Sequence, residues 1–162
     1  MKKVVLVAAV AAFCSIGVFA DGIGVVDMKT IFTTAPQVKT IKAGLAKQFE
    51  PQKDKLEKMS QSLQADIAKY QKNKAVMDKK DLTALEDSIT KQEAAFRDAQ
   101  TKFQQDVFTA QNKSLETFMD SVKASVKMVA EKNKLDLVVP SNDVLYSKDK
   151  TDITQDVLKD MK

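Results

Sequence analysis

The middle of the chain is patterned by large apolar residues that recur every seven positions. One series consists of Phe49, Leu56, Leu63, Tyr70 and Met77. A second series consists of Leu82, Ile89, Phe96 and Phe103. A seven-residue apolar repeat is typical of helices that pack lengthwise against each other. The two series therefore predict an antiparallel helical hairpin that forms a long arm.

A lysine-rich segment separates the two series and is predicted to be the tip of the arm. Residues 69–80 read KYQKNKAVMDKK, with one aspartate among five lysines, which are Lys69, Lys72, Lys74, Lys79 and Lys80. Asn73 can close the first helix in a left-handed conformation, and Asp78 or Asp81 can cap the second. We therefore expect the turn of the hairpin near residues 73–80.

The seam between the two helices is predicted to be thinly filled. Several of its positions hold the polar residues Gln52, Asp66, Gln92 and Asp106. A stable coiled coil normally has apolar residues at both seam positions, and Pro51 removes one hydrogen bond from the first helix. A helix from about Pro36 to Lys72 has roughly 37 residues, which at 1.5 Å each extend roughly 55 Å. We expect an arm that bends and splays.

A third apolar series lies farther along the second helix and is out of phase with the series before it. It consists of Phe108, Leu115, Val122 and Val129. Because five residues separate Phe103 from Phe108, the apolar stripe rotates around the helix at this point. The rotation indicates that the helix leaves the arm there and enters a body. The arm is predicted to span residues 36–133.

The two ends of the chain carry the pattern of short strands. Residues 23–28 and 134–140 are rich in β-branched residues and bounded by turn residues, and residues 143–148 offer a third strand. Leu135, Leu137 and Val139 alternate, which predicts that they share one face. Residues 151–161 predict a closing helix with Asp152 as its N-cap and Gln155 completing a capping box.

The predicted body consists of residues 21–35 and 134–162 and is small. A body of some 45 residues forms only a marginal core unless disulfide bonds, a bound metal or partner subunits add stability. We therefore expect the body to oligomerise. The alternative is that these residues form a hydrophobic core within a single subunit. The candidate oligomerisation residues are Val25, Val26, Leu135, Leu137, Val139, Tyr146 and Ile153.

The first twenty residues have the pattern of a secretory signal peptide. Two lysines precede an apolar run from Val4 to about Ile16, and Val18 and Ala20 are small residues spaced for signal peptidase. We expect cleavage after Ala20 and a periplasmic location. The alternative, an uncleaved membrane anchor, is disfavoured because the run is shorter than the roughly 20 residues of a spanning helix.

The composition argues against catalysis and cofactor chemistry. Cleavage would remove the single cysteine, and the chain has no histidine and no tryptophan. The usual general base, thiol nucleophile and soft metal ligands are therefore absent, and a disulfide cannot form. Removing Lys2 and Lys3 leaves 24 of the 26 basic residues against 22 acidic ones, a net charge of +2. We expect no enzyme, no cofactor and no nucleic-acid partner.

The two ends of the predicted mature chain resemble a known family. DGIGVVDMKTIF at the start and LDLVVPSNDVLYSKDKTDITQDVLKDMK at the end look like the Skp/OmpH-like periplasmic chaperones, and the likeness extends over the whole mature chain. The resemblance implies a fold that is mainly α with a small β body, in which long helical hairpins hang from a β-barrel-like trimerisation body. Pro51 in the first long helix departs from the family pattern.

The resemblance also implies a function. Members hold unfolded outer-membrane β-barrel proteins in a cavity between the arms of a homotrimer without ATP. The five tip lysines are candidate contacts for clients, for an anionic membrane surface or for lipopolysaccharide; the alternative is that they are only a solvated turn. A passive coiled-coil spacer of the cell envelope is the competing function.

Overall fold

The computed structural model describes residues 22–148 and 150–161. The predicted signal peptide lies outside these residues. The elements in chain order are β1 (Gly22–Val26), α1 (Met28–Thr34), α2 (Pro36–Asn73), α3 (Lys79–Lys132), β2 (Leu135–Pro140), a 3₁₀ turn (Ser141–Asp143), β3 (Lys150–Asp152) and α4 (Thr154–Asp160). The fold is thus mainly helical with a small sheet, as the sequence predicts.

Helices α2 and α3 form the arm. Helix α2 begins with Pro36, a favourable first position because the missing N–H would have no intrahelical acceptor there. Helix α3 begins after Asp78, whose side chain accepts a 2.8 Å hydrogen bond from the backbone N–H of Lys80. Asp78 therefore caps this helix, one of the two residues for which the sequence allowed that role. The 54 residues of α3 extend roughly 80 Å, through the arm and into the body.

The turn at the tip differs in detail from the sequence prediction. Asn73 was expected to be left-handed, but in the described chain the one non-glycine residue with positive φ is Lys134, at 53°. Lys74 instead continues in the right-handed region, and the Asn73 carbonyl accepts from Val76 and Met77 at 3.0 and 2.9 Å. A local backbone turn thus replaces the expected left-handed cap of α2. The left-handed residue occurs instead at the end of α3, where Lys134 follows the C-cap Asn133.

The three strands form a parallel sheet with the order β2-β1-β3. The prediction of a strand at residues 143–148 was wrong, because the third strand is three residues and begins at Lys150. It pairs with the central strand β1, along the edge that β2 does not occupy. The Ile153 N–H donates to the Val25 carbonyl at 3.0 Å and anchors the segment that follows β3.

The predicted common face of Leu135, Leu137 and Val139 was also wrong. The register skips one residue at Asp136, where Gly22 pairs with Leu135 and Ile23 pairs with Leu137. This bulge reverses the alternation. Leu135 packs against the core together with Val138, whereas Leu137 is 53 % exposed on the other side of the sheet.

The core of the body lies between one face of the sheet and helices α1, α3 and α4. Its buried residues are Val26, Ile31, Ala35, Phe118, Val122, Val129, Ile153, Val157 and Met161. The third apolar series therefore enters the body only in its second half. Val122 and Val129 are buried, but Phe108 and Leu115 are 65 % and 49 % exposed. The sequence pattern had placed the whole series where the helix enters the body, so this prediction holds only for its second half.

A hydrogen-bonded junction ties the two ends of the chain together in the body. Asp27 caps α1 by accepting from the Thr30 hydroxyl at 2.6 Å and from the Thr30 N–H at 3.1 Å, which lowers the pKa of the Asp27 carboxyl. The Asp27 N–H donates to Thr154 Oγ1 at 2.8 Å. Thr154 in turn donates to Asp152 from its hydroxyl and from its N–H. The prediction of Asp152 as the N-cap of α4 was wrong, because the helix begins at Thr154 and its N-cap is Ile153. The Asp152 carboxylate accepts from Thr154, the first residue of the helix, and among the described residues it makes no bond to Gln155.

Candidate functional site

The distal half of the arm is held by a seam of half-buried apolar residues and by hydrogen bonds between the helices. Gln92 Nε2 donates to Asp66 Oδ2 at 2.6 Å, and Ser62 Oγ donates to Gln92 Oε1 at 3.1 Å. Nearer the tip, the Tyr70 hydroxyl donates to Glu86 Oε1 at 2.6 Å, which raises the pKa of Tyr70. The polar residues in the seam are therefore paired, and Tyr70 serves the arm itself.

The middle of the arm contains one buried aromatic contact. Phe49 is 7 % exposed and meets Phe103 edge to face, with 5.9 Å between the ring centroids. Phe49 is the one residue of α2 that is buried. Just beyond this contact the helices leave open space around Gln52 and Asp106.

The base of the arm exposes large apolar side chains. Phe108 and Leu115 are seven residues apart and lie on the same side of α3. Phe32 of α1 is 38 % exposed and stacks at a tilt on Phe118, with centroids 5.2 Å apart. We call Phe32, Phe108 and Leu115 the arm-base surface. Exposed apolar residues grouped in this way mark interaction surfaces more often than scattered ones do.

A small apolar pocket opens beside the arm-base surface. It has a volume of about 160 Å³ and is lined mainly by Phe32, Val38, Ile41, Leu45, Leu115 and Phe118. This volume suits a single large aliphatic or aromatic side chain. The pocket has no signature in the sequence, because its walls come from three helices that only the fold brings together.

The five predicted tip lysines all lie exposed around the turn. Among the described residues none of them lies within ion-pair distance of a carboxylate, whereas Lys102, Lys113 and Lys159 each have an acidic partner on their own helix. Val76 in the same turn is 83 % exposed. The tip is therefore a positively charged surface with an apolar residue at its end.

The candidate oligomerisation residues divide into two groups. Val26 and Ile153 belong to the core of their own subunit, Leu135 packs against that core, and Val25 is 2 % exposed in the single chain. Other apolar residues of the body are exposed. Ile23 at 44 % and Leu137 at 53 % are paired on neighbouring strands, and Val139 on the same strand as Leu137 is half-buried. Leu145 at 102 % and Tyr146 at 83 % lie in the segment between the 3₁₀ turn and β3. Ile23 and Leu145 were not among the residues predicted from the sequence.

Two kinds of site are missing from the described part of the chain. No cluster of three or more acidic, histidine or cysteine residues there could hold a metal ion. None of the described helices combines the length and the apolar character that a membrane span requires.

Comparison with known proteins gives the family. The model of the family described as Outer membrane protein (OmpH-like) matches residues 22–161. The chain belongs to this family. It is 32 % identical over 164 residues to chaperone protein Skp of Yersinia enterocolitica and 34 % identical over 164 residues to chaperone protein Skp of Escherichia coli K12, with 100 % of both chains covered in each case.

A solved structure shares the fold. It is the crystal structure of a candidate outer membrane chaperone (OmpH-like) from Caulobacter crescentus CB15, with a TM-score of 0.75. The match has 14 % sequence identity and covers 87 % of this chain and 83 % of that one. The family and its relatives thus support a periplasmic holdase chaperone, indicate no catalytic function and do not favour a passive spacer.

Proposed function

We propose that this chain, as a homotrimer in the periplasm, holds unfolded outer-membrane β-barrel proteins between its arms and keeps them soluble for membrane insertion. The observation that carries this proposal is the exposed arm-base surface with its pocket. The proposed action is passive: the predicted mature sequence contains only Gly22, Gly24 and Gly44 as glycines, and no glycine-rich phosphate loop. Neither ATP nor any other cofactor takes part.

The chemistry of the client matches this surface. A strand of an outer-membrane barrel alternates apolar and polar residues, so an unfolded barrel presents many separate apolar side chains. The pocket of about 160 Å³ suits one such side chain, and Phe108 and Leu115 offer further contact area. Each contact is weak, but three arms around one client give a high effective concentration of contacts. Release then follows when the client reaches its more stable membrane fold.

The tip lysines are proposed to act before the client reaches the arm base. Their charges face solvent without acidic partners in the described chain, so they are free to attract acidic clients. They are equally suited to an anionic membrane surface or lipopolysaccharide, where each lysine contributes about 1 kcal/mol. Because salt screens exposed charges over roughly 8 Å at physiological ionic strength, this attraction acts at short range.

Assembly is proposed to use the exposed apolar residues of the body. Ile23, Leu137, Leu145 and Tyr146 expose apolar surface that a single subunit does not cover. A body of this size without a disulfide gains stability when such surfaces are shared. Three bodies meeting there would form the β-barrel-like centre of a homotrimer. Val26 and Ile153 are less suited to the contact, because they are already buried in their own subunit.

A chemically denatured outer-membrane barrel, diluted out of denaturant, tests the holding function. The wild-type protein is expected to keep the barrel soluble, measured by turbidity, whereas a passive spacer would leave it to aggregate. The variant Phe108→Ser/Leu115→Ser should need about tenfold more protein for the same protection, because two exposed apolar contacts are lost. Met128→Ser removes an exposed apolar residue elsewhere on α3 and is the matched control. If the double variant protects the barrel as well as the control does, the arm-base surface is not where the client binds.

Light scattering tests the assembly. The wild-type protein should have the mass of three chains, and Leu137→Asp should dissociate it, because a charge would be buried without a partner in the contact. Val76→Asp makes a similar change at the exposed tip and should leave the mass unaltered. A monomeric wild type, or a trimeric Leu137→Asp variant, would contradict this arrangement.

A further inference from the structure

The small pocket beside the arm-base surface, which we call the arm-base pocket, combines apolar walls with one positive charge. Lys42 lines it next to Ile41 and Leu45, and Lys42 is the one charged residue in the described lining. Lys42 is exposed, and no carboxylate in the described part of the chain lies within ion-pair distance of it. The pocket therefore suits an apolar group that carries a negative charge beside it.

The neighbouring cavity has a different character. It has a volume of about 620 Å³ and shares Ile41 and Ser114 with the arm-base pocket, but its lining includes the Asp106 carboxylate. Lys113, which also lines this cavity, is already paired with Glu116 at 2.8 Å. Because like charges repel each other, the larger cavity is a poor place for a second carboxylate. Of the two openings, the arm-base pocket is thus the one that fits an anionic group.

Two phenylalanines give the arm-base pocket a preference for an aromatic side chain. Phe118 is 3 % exposed and forms a fixed wall, and the ring of Phe32 lies 5.2 Å from it at an angle of 47°. A third ring next to this tilted pair can adopt the edge-to-face or offset arrangements that aromatic rings favour over simple apolar contact. The volume of about 160 Å³ admits one such side chain.

The residue pattern of an outer-membrane strand limits where the negative charge can come from. Successive side chains of an extended chain point to opposite sides, so the two residues next to an inserted aromatic residue point away from the pocket. The residues two positions away belong to the same membrane-facing series and are apolar. Neither neighbour therefore brings a side-chain carboxylate to Lys42. The group that remains is the α-carboxylate of the last residue of the client, which lies directly beside its own side chain.

We propose that the arm-base pocket binds the C-terminal residue of an unfolded outer-membrane barrel protein that ends in an aromatic residue. The ring enters the pocket, and the α-carboxylate contacts the ammonium group of Lys42. The aromatic residues of a barrel are concentrated at the two membrane interfaces, where its strands end, so a chain that finishes with its last strand finishes near such a residue. This inference rests on the proposed holding function, to which it adds a preferred contact.

The preferred contact would distinguish complete clients from incomplete ones. A chain that is still being exported, or one that has lost its last strand, presents apolar side chains but no terminal aromatic residue with its α-carboxylate. The other contacts of the arm hold both kinds of chain, whereas the arm-base pocket and Lys42 hold the complete chain more tightly.

Fluorescence anisotropy of four N-terminally labelled ten-residue peptides tests the proposal on the mature wild-type protein. All four alternate threonine and valine. Three of them end in phenylalanine as the free acid, phenylalanine as the amide, and serine as the free acid; the fourth has phenylalanine followed by aspartate in its middle and ends as a serine amide. The phenylalanine free acid should bind most tightly. The phenylalanine amide should bind about fivefold more weakly because the ion pair is lost, and the serine acid about tenfold or more because the ring is lost.

The variant Lys42→Gln shows whether the charge preference comes from this pocket. It should weaken binding of the phenylalanine free acid about fivefold and leave the amide unchanged, so that the two bind equally. Lys39→Gln removes an exposed lysine of the same helix that does not line the pocket, and it should retain the wild-type difference between acid and amide. Higher salt should reduce this difference in the wild type.

Four results would overturn the proposal: equal binding of acid and amide to the wild type, equally tight binding of the peptide with the internal phenylalanine and aspartate, the same effect of both lysine variants, or no binding of any peptide. The holding function is judged separately by the solubility of a denatured barrel with the wild-type protein. A soluble barrel together with any of the four results refutes only the terminal contact, whereas an aggregated barrel refutes the holding function itself.

Discussion

The hydrogen bonds in the distal seam of the arm should make its stability depend on Gln92. The side chain of Gln92 joins the two helices by bonds to Asp66 at 2.6 Å and to Ser62 at 3.1 Å. Replacing Gln92 by Leu removes both bonds and leaves the half-buried Asp66 carboxylate facing an apolar side chain. The change should loosen the distal arm even though leucine is the better residue for a helix seam in general.

The size of the effect follows from the number of bonds and their exposure. A typical hydrogen bond contributes a net amount of about 0.5–1.5 kcal/mol. The bond from Gln92 to Asp66 is half-buried, and the bond from Ser62 to Gln92 is exposed, so the weaker part of this range applies to the second. A total of about 1–2 kcal/mol is therefore expected, which raises the population of the open arm roughly 5- to 30-fold. Amide exchange in residues 60–70 and 85–96 should accelerate by this factor, while residues 118–129 in the body serve as the internal reference.

The double variant Asp66→Leu/Gln92→Leu separates the hydrogen bonds from the helices themselves. It removes both polar partners and fills the seam, so exchange should become slower than in the wild type. Gln100→Leu, an exposed position on the same helix, is the control for helix propensity. The reasoning fails if Gln92→Leu alone slows exchange, or if the double variant exchanges as fast as the single one.

Two further predictions concern the junction in the body. Thr154→Val removes the hydroxyl that accepts from the Asp27 N–H, and it should lower the free energy of unfolding by about 1–3 kcal/mol. Thr154→Ser keeps the hydroxyl and should retain most of the wild-type free energy of unfolding. Urea unfolding at fixed protein concentration measures both. Hydrogen bonds from Thr30 lower the pKa of the Asp27 carboxyl in the folded protein below its ordinary value of 3.8. The ionised carboxyl therefore stabilises the folded body at a pH above 3.8. This stabilisation is lost as the pH falls through the folded-state pKa. Urea midpoints of wild type and Asp27→Asn should therefore differ at pH 6 and converge below the folded-state pKa; a constant difference would contradict this.

The periodic part of the chain was predictable, because it depends on local spacing. Seven-residue apolar repeats identify helices that pack in pairs whatever their partner is, and α2 and α3 lie where the two series indicated. The sequence limited the cap of α3 to Asp78 or Asp81, and the structure shows that it is Asp78. The left-handed Asn73 did not follow, because the backbone could satisfy its carbonyl by continuing the right-handed turn.

The predictions that were wrong concern features that depend on pairing between distant segments of the chain. Residues 143–148 have the β-branched and aromatic character of a strand, but Lys150–Asp152 pairs with the edge of β1 that β2 does not occupy. The face of Leu137 depends on a bulge at Asp136, which a pattern of alternation cannot reveal. The exposure of Phe108 and Leu115 also has no local signal, because their spacing is identical to that of the buried Val122 and Val129.

The unequal burial along the chain explains how one small protein can combine a well-packed body with an adaptable arm. In the body, the described core residues are almost completely buried, while in α2 Phe49 alone reaches that state. Local stability follows buried apolar contact, so the arm should open and bend at free energies far below those that unfold the body. An unfolded client that binds by many weak apolar contacts changes its shape while it is bound, so the arm has to change shape with it. A fully packed seam between α2 and α3 would resist that movement of the arm. The paired polar residues near the tip prevent the opposite failure, because their hydrogen bonds keep the two helices in register.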